Sequence, residues 1–530
     1  MSAAALHANA LVPLMRHVLA RRDWALDDML ALRAVCAPWR AAFDLAATRD
    51  GHRFVSDWFI CNDIDDALAK RAEALRDTSR LPRGVRISLS HNSVCDVAAL
   101  GNVAIHAIEL AECRKVRDVS ALGGVHTLRL TKCHGVADVS ALGGVHTLYL
   151  DQCPRVVDVS ALGRVHTISI FRCDGLVDVS ALGRAHTLLL VDCGGVVDVS
   201  ALGGVHKLTI GRCRGVHDVS ALGRVHTLYL YECNGVSDVS ALGGVQNLDL
   251  YNCSGVRDVS ALGGVRTLKI SGCSGVADIS ALGGVRTLDL SDCRGVTDVS
   301  ALGGVHTLSI SYCNGVRDVS ALGGVHALSF MGCDGVADVS ALGGVDTLSI
   351  NDCSGVTDVS ALGGVRVLNI TSCHGIVDVS ALGSVKRLYF SDCRGVRDVS
   401  ALGGAEMLYI FECEGVADVS ALGSVHTLSI MSCNNVVDVS ALGGVHTLSL
   451  ACCHGVTDVS ALGGVHTLNL SYCSGVRDVS ALGGVHALDL SCCARVVDAS
   501  ALGGVHTLCL AGTGVVDVSA LSSVPRLALP

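Results

Sequence analysis

Residues 118–137 read DVSALGGVHTLRLTKCHGVA, and the chain repeats that 20-residue phrase without insertion from about Asp118 to Leu510. Within it Leu128 and Leu130 alternate with Thr127, Arg129 and Thr131. That is the period of a short strand with one buried face. Recurrence every twenty residues predicts parallel strands stacked beside one another, with their ladder running along the axis of a solenoid. Val119, Leu122, Val125, Leu128, Leu130, Cys133 and Val136 form the expected core of each coil. Burying each such side chain contributes roughly 1.5–3 kcal/mol. One coil cannot bury its own apolar face, so stability depends on many neighbours. Ala-Leu-Gly-Gly leaves room for turns or a short 3₁₀ segment opposite the strand, but not for a full helix.

Composition agrees with a repetitive, β-rich chain. Its 530 residues include 60 Gly but only 6 Pro, 3 Trp and 7 Phe, and half are hydrophobic without a run long enough to span a bilayer. A net charge of −10 and the lack of a basic stripe argue against nucleic acid as the main partner. The first residues, interrupted by His7, Asn9, Arg16 and His17, do not read as a secretory leader. Twenty of the 26 Cys fall at one position, from Cys113 to Cys493 in steps of 20. Such spacing describes a structural column rather than a disulfide framework, and the expected location is intracellular, cytoplasmic or nuclear.

Three polar columns bear on chemistry. Asp occupies every regular unit from Asp118 to Asp498. Carboxylates about 4.8 Å apart repel by roughly 1–3 kcal/mol per pair, so each is expected to accept backbone N–H bonds in its own Asp-Val-Ser-Ala turn. A ladder of calcium sites is the alternative. The His column includes His126, His146 and His506 but is replaced by Arg266, Asp346, Lys386 and Glu406. Stacked imidazoles can bind metal or sense pH; substitution by both charge signs favours a partly exposed strand-entry residue. The Cys column lacks a partner base and the short spacing of a zinc site, so it reads as small apolar packing inside a turn. Cys452, Cys492 and Cys509 stand outside that column, near the variable face. No catalytic residue, metal, cofactor or membrane partner is expected.

The pattern Val125-x-x-Leu128-x-Leu130-x-x-Cys133 resembles the leucine-rich repeat. The resemblance spans roughly residues 83–530 and recurs in register in consecutive units. It is irregular at both ends, where Asn92 stands for Cys near Ile87–Leu89, and Thr513 does so in the last coil.

Residues before about 80 are different. Leu11, Leu14, Met15, Val18 and Leu19 fit one helix face, and Met29, Leu30, Leu32, Val35, Cys36 and Trp39 suggest another. The stretch from Leu11 to Phe43 resembles an F-box, with Leu11, Pro13, Leu14, Val18, Leu19, Leu30, Leu32, Val35, Cys36 and Trp39 at matching positions. The expected organisation is a small all-α F-box-like domain at 1–48, a helical linker and N-terminal cap at 49–82, and the solenoid at 83–530. The F-box resemblance implies docking of a Skp-type adaptor of a cullin–RING ubiquitin ligase, with the repeats holding a target protein. The pairing with so regular an array is also similar in style to proteins of large DNA viruses. A structural or decoy solenoid whose F-box does not dock is the alternative.

The residues that vary between units, equivalent to 129, 131, 132 and 134, flank the buried Leu pair and are expected to line the strand face. Two clusters stand out as candidate target-binding residues: Tyr229, Tyr231, Glu232 and Tyr251, and Tyr389, Tyr409, Phe411 and Glu412. Tyr is a favoured interface anchor.

Overall fold

The computed structural model describes residues 58–61, 86–90, 94–102 and 105–529. The helical domain expected at 1–48 lies outside them. Two compact units divide the chain, Met1–Ala261 and Leu262–Pro530. Among the described residues the first holds ten strands, from β1 (Trp58–Cys61) and β2 (Arg86–Ser90) to β9 (Thr227–Tyr231) and β10 (Asn247–Tyr251). The second holds fourteen, from β11 (Thr267–Ser271) to β24 (Arg526–Ala528).

The strand pairings described are parallel, and each regular coil sets a residue beside its equivalent twenty positions on. Leu128 pairs with Leu148 and Leu130 with Leu150 in one unit, and Leu308 with Leu328 in the other. Within each unit this is the parallel-strand repeat solenoid expected from the period. The predicted core is observed: Val119, Leu122, Leu128, Leu130, Cys133 and Val136 are at most 1% exposed, and Val125 is 5% exposed.

Opposite each strand lies a 3₁₀ turn such as Ser140–Gly144, which buries Leu142 and closes when the Val145 N–H donates to the Leu142 carbonyl at 3.0 Å. The two glycines of this turn differ in role. A Cβ on Gly143 would lie 2.5 Å from the Ala161 carbonyl oxygen of the next coil, so the first glycine is fixed by close backbone approach. A Cβ on the second glycine, Gly144, would lie 2.8 Å from the Gly123 carbonyl oxygen of the preceding coil, whereas one on Gly124 would meet nothing within 4 Å. The second position carries Arg164, Arg184, Arg224, Ser384 and Ser424 in other coils.

One column was not anticipated as a backbone feature. The residue before each ladder Cys sits in the left-handed region, with φ of 54° at Lys132, 52° at Glu232, 53° at Tyr312 and 52° at Glu412. That conformation costs a non-glycine residue about 1–2 kcal/mol, and is worse for β-branched side chains. The sequence carries the signal: the column holds Lys, Gln, Arg, Asp, Glu, Asn, Gly, Tyr, Ser and Cys, but no Val, Ile or Thr. The turn recovers a bond to the next coil, as when the Lys132 N–H donates to the Asp151 carbonyl at 2.8 Å.

Within the segment expected as a helical linker and cap, residues 49–82, the structure instead has a strand. β1 pairs with β2 from Trp58–Arg86 to Cys61–Leu89, so the ladder begins ahead of residue 83. Trp-Phe-Ile-Cys is rich in aromatic and β-branched residues, which fit a pleated surface better than a helix. The rest of 49–82 lies outside the described residues. At the other end Thr513 stands in for the thiol, its Oγ1 donating to the Leu510 carbonyl at 2.8 Å.

Candidate binding face

The fixed polar columns are occupied by folding. Asp118 Oδ1 accepts the Ser120 N–H at 2.8 Å, and the same bond recurs at 2.8–2.9 Å in successive coils through Asp498 and Ser500. Hydrogen bonding from the Ser120 side chain and amide holds the Asp118 carboxyl below its ordinary pKa against desolvation and the next Asp. These are the expected Asx turns. The Cys133 thiol donates to the Leu110 carbonyl at 3.3 Å, and burial pushes it up to about 12. Such a thiol is a poor nucleophile. Column cysteines such as Cys133, Cys313 and Cys493 are free thiols, and among the described residues no group of three or more His, Cys, Asp or Glu side chains is placed to hold a metal ion. No helix among them is long and apolar enough to cross a membrane.

The variable positions remain. In the first unit Tyr229 and Tyr231 are half-buried on β9, and Tyr231 pairs with Tyr251, which is 46% exposed on β10. The Tyr231 ring leans over Gly211: a Cβ there would lie 2.0 Å from its Cζ. Burial raises the Tyr231 pKa. Lys207 Nζ lies 5.6 Å from the Tyr229 ring centroid. Glu232 receives two bonds from Arg212, Nε to Oε2 and Nη2 to Oε1, both 3.0 Å. The four predicted residues of this cluster are therefore on adjacent strand ends, but the Glu232 carboxylate is already paired.

In the second unit β17 (Arg387–Ser391) and β18 (Met407–Phe411) bring Tyr389 and Tyr409 together, with ring centroids 4.7 Å apart and planes 10° from parallel. Phe411 is 38% exposed beside Met431, and Glu412 is exposed at a left-handed turn. Tyr312 and Tyr472, at 46% and 55% exposure, were not in the predicted clusters. They stand in the same left-handed column as Glu232 and Glu412, at a variable position equivalent to 132 but away from both clusters. The predicted adaptor-binding residues, Leu11, Pro13, Leu14, Val18, Leu19, Leu30, Leu32, Val35, Cys36 and Trp39, lie outside the described residues.

The chain matches no family model. It matches no curated protein either. Solved structures with a similar fold include a chain of the mouse RP105/MD-1 complex, at 14% identity and TM-score 0.48, covering 86% of both chains. Another is the functional domain of InlJ from Listeria monocytogenes, described as including a cysteine ladder, at 16% identity and TM-score 0.35, covering 65% of this chain and 73% of that one. A leucine-rich-repeat protein of Leptospira interrogans matches at 12% identity and TM-score 0.29, over 88% of this chain and 99% of its own. The parallel-strand solenoid of 20-residue coils with 3₁₀ turns is seen within each unit from its own strand register; these likenesses add nothing about activity.

The fixed columns also set a pH dependence. Desolvation, then the neighbouring His106, lowers the His126 pKa, and desolvation with His166 and His206 does so at His186. A depressed folded-state His pKa favours the neutral form, so its contribution is present above about pH 6.5 and is lost as pH falls. The Asp column, also depressed, contributes above about pH 4 and is lost below it. The thermal midpoint is expected to be flat from pH 8 to 7, to decline from 6.5 to 5, and to fall again below 4. A midpoint unchanged between pH 8 and 5 would contradict the His part.

Proposed function

We propose that this chain is a non-enzymatic adaptor in which the F-box-like N-terminal module recruits a Skp-type adaptor of a cullin–RING ubiquitin ligase while the solenoid face holds a target protein. The single observation that carries target binding is the Tyr389–Tyr409 stack beside exposed Phe411. It is an aromatic surface on a rigid sheet that the core does not need. Rigid aromatic side chains are typical interface anchors. Recruitment rests on the sequence resemblance over Leu11–Trp39. The free thiols suit a reducing intracellular compartment, cytoplasmic or nuclear.

The test is gel filtration and calorimetry of the full chain with a purified Skp-type adaptor. A one-to-one complex is expected. Trp39→Ala should weaken it by about 30-fold or more, the loss of an anchor worth about 2 kcal/mol, without moving the solenoid's thermal transition. If the folded wild-type chain does not bind, recruitment fails and a structural or decoy solenoid is the remaining reading.

A further inference from the structure

The His column holds two uninterrupted stacks. In the first unit His106, His126, His146, His166, His186, His206 and His226 lie with successive ring centroids 4.4–4.7 Å apart. In the second, His426, His446, His466, His486 and His506 do so at 4.6–4.7 Å. The substitutions that argued against a metal role, Arg266, Asp346, Lys386 and Glu406, all fall between the two stacks and interrupt neither.

Where a Thr follows the imidazole, as it does not at His106, His206 and His486, the same contact sets the ring orientation. Nδ1 of His446, His466 and His506 lies 3.3 Å from Oγ1 of the following Thr, and that of His126 and His146 lies 3.2 Å away. A bond from Nδ1–H to that hydroxyl leaves Nε2 unprotonated and facing solvent, the arrangement by which a metal-ligating His is usually oriented. The residue two before each imidazole in the second stack is Ser424, Gly444, Gly464, Gly484 or Gly504, so no cation crowds the ring tips from that side. In the first stack Arg164, Arg184 and Arg224 occupy the corresponding positions before three of the seven.

We propose that adjacent imidazoles in these stacks chelate borderline divalent transition-metal ions such as Zn²⁺, two Nε2 atoms per ion with water completing the coordination. Imidazole suits these ions. Zn–N bonds of about 2.0–2.1 Å in tetrahedral geometry need the two nitrogens about 3.3 Å apart. Because each lone pair lies in its ring plane, two neighbouring exposed rings reach that only by turning out of the parallel stack so that their Nε2 atoms converge on the ion. Two protein ligands per ion are consistent with the absence of any three-ligand cluster among the described residues.

The test separates chelation from the mere presence of histidine. Gln246 occupies this column naturally, so Gln is compatible with the coil. In a full chain carrying His126→Gln, His166→Gln, His206→Gln and His306→Gln, which removes every other adjacent pair, two variants are compared by Zn²⁺ calorimetry. His486→Gln with His506→Gln keeps His426, His446 and His466 adjacent. His446→Gln with His486→Gln keeps the same number of imidazoles but no neighbours. The first is expected to bind Zn²⁺ at least about tenfold more tightly, as bidentate attachment requires. Equal affinity in the two variants, or no tight binding in the first, would overturn the proposal.

Discussion

Phe330→Ala is expected to destabilise the second unit by about 3–5 kcal/mol, the cost of removing a buried aromatic ring and leaving a cavity. Phe330 is fully buried on β14 (Ala327–Met331), in register between Ile310 and Ile350 of the flanking strands. Those smaller neighbours cannot close over the gap without shifting two ladders at once. Since stability in a solenoid is a sum of coils and nearest-neighbour interfaces, the loss should appear as early opening around that coil. Far-UV circular dichroism in urea would show a lower first midpoint. Phe330→Leu, which keeps most of the volume, should cost less than about 1.5 kcal/mol. An unchanged urea curve for Phe330→Ala would mean that this coil is not packed as described.

The second large effect is a contrast between two near-isosteres in the Cys column. Cys313 is fully buried and its thiol donates toward the Ser311 carbonyl at 3.4 Å and the Leu290 carbonyl at 3.8 Å. The site is lined by acceptors and calls for a donor. Cys313→Asn brings an N–H₂ that can donate to those carbonyls, whereas Cys313→Asp brings only acceptors when ionised. An unpaired buried charge costs about 3–5 kcal/mol when its partner is missing, so Cys313→Asp should be less stable than Cys313→Asn by about that amount at pH 7. Raising the acidity enough to protonate the new carboxyl should narrow the difference. Equal stability of the two variants at pH 7 would show that donation to the carbonyl column does not matter.

Both expectations follow from what the sequence made legible. The 20-residue period specified the strand, the inward columns and the 3₁₀ turn, because each depends on local spacing that repeats without interruption. The Asp turns were equally readable, since stacking carboxylates without a compensating bond is unfavourable. Three features were less accessible. The left-handed residue before each Cys is marked only by the side chains that its column lacks. The Trp58–Cys61 strand carries no repeat signature, and its neighbours in sequence suggested helix. Imidazole stacking depends on ring rotation, which the spacing of His leaves undetermined; only where the substitutions cluster hints that the stacks are continuous.

The binding face was legible as a set of positions but not as a set of partners. Choosing residues beside the Leu pair located Tyr389, Tyr409 and Phe411 together, yet it could not reveal that Glu232 is held by Arg212. Long-range pairing between equivalent columns decides which charges are available, and it emerges only when the coils are stacked.

The central claim is that the fixed columns fold the protein and the variable aromatic stripe binds. One paired measurement tests it: the chain carrying Tyr229→Ser, Tyr231→Ser, Tyr251→Ser, Tyr389→Ser, Tyr409→Ser and Phe411→Ser, compared with wild type in thermal unfolding and in quantitative capture of proteins from cell extract. Ser already stands in these columns at Ser309 and Ser291, so the thermal transition should stay within a few degrees of wild type. The proteins enriched by wild type should be lost. Capture of the same proteins by both chains, or collapse of the variant's fold, would contradict the separation between folding columns and binding stripe.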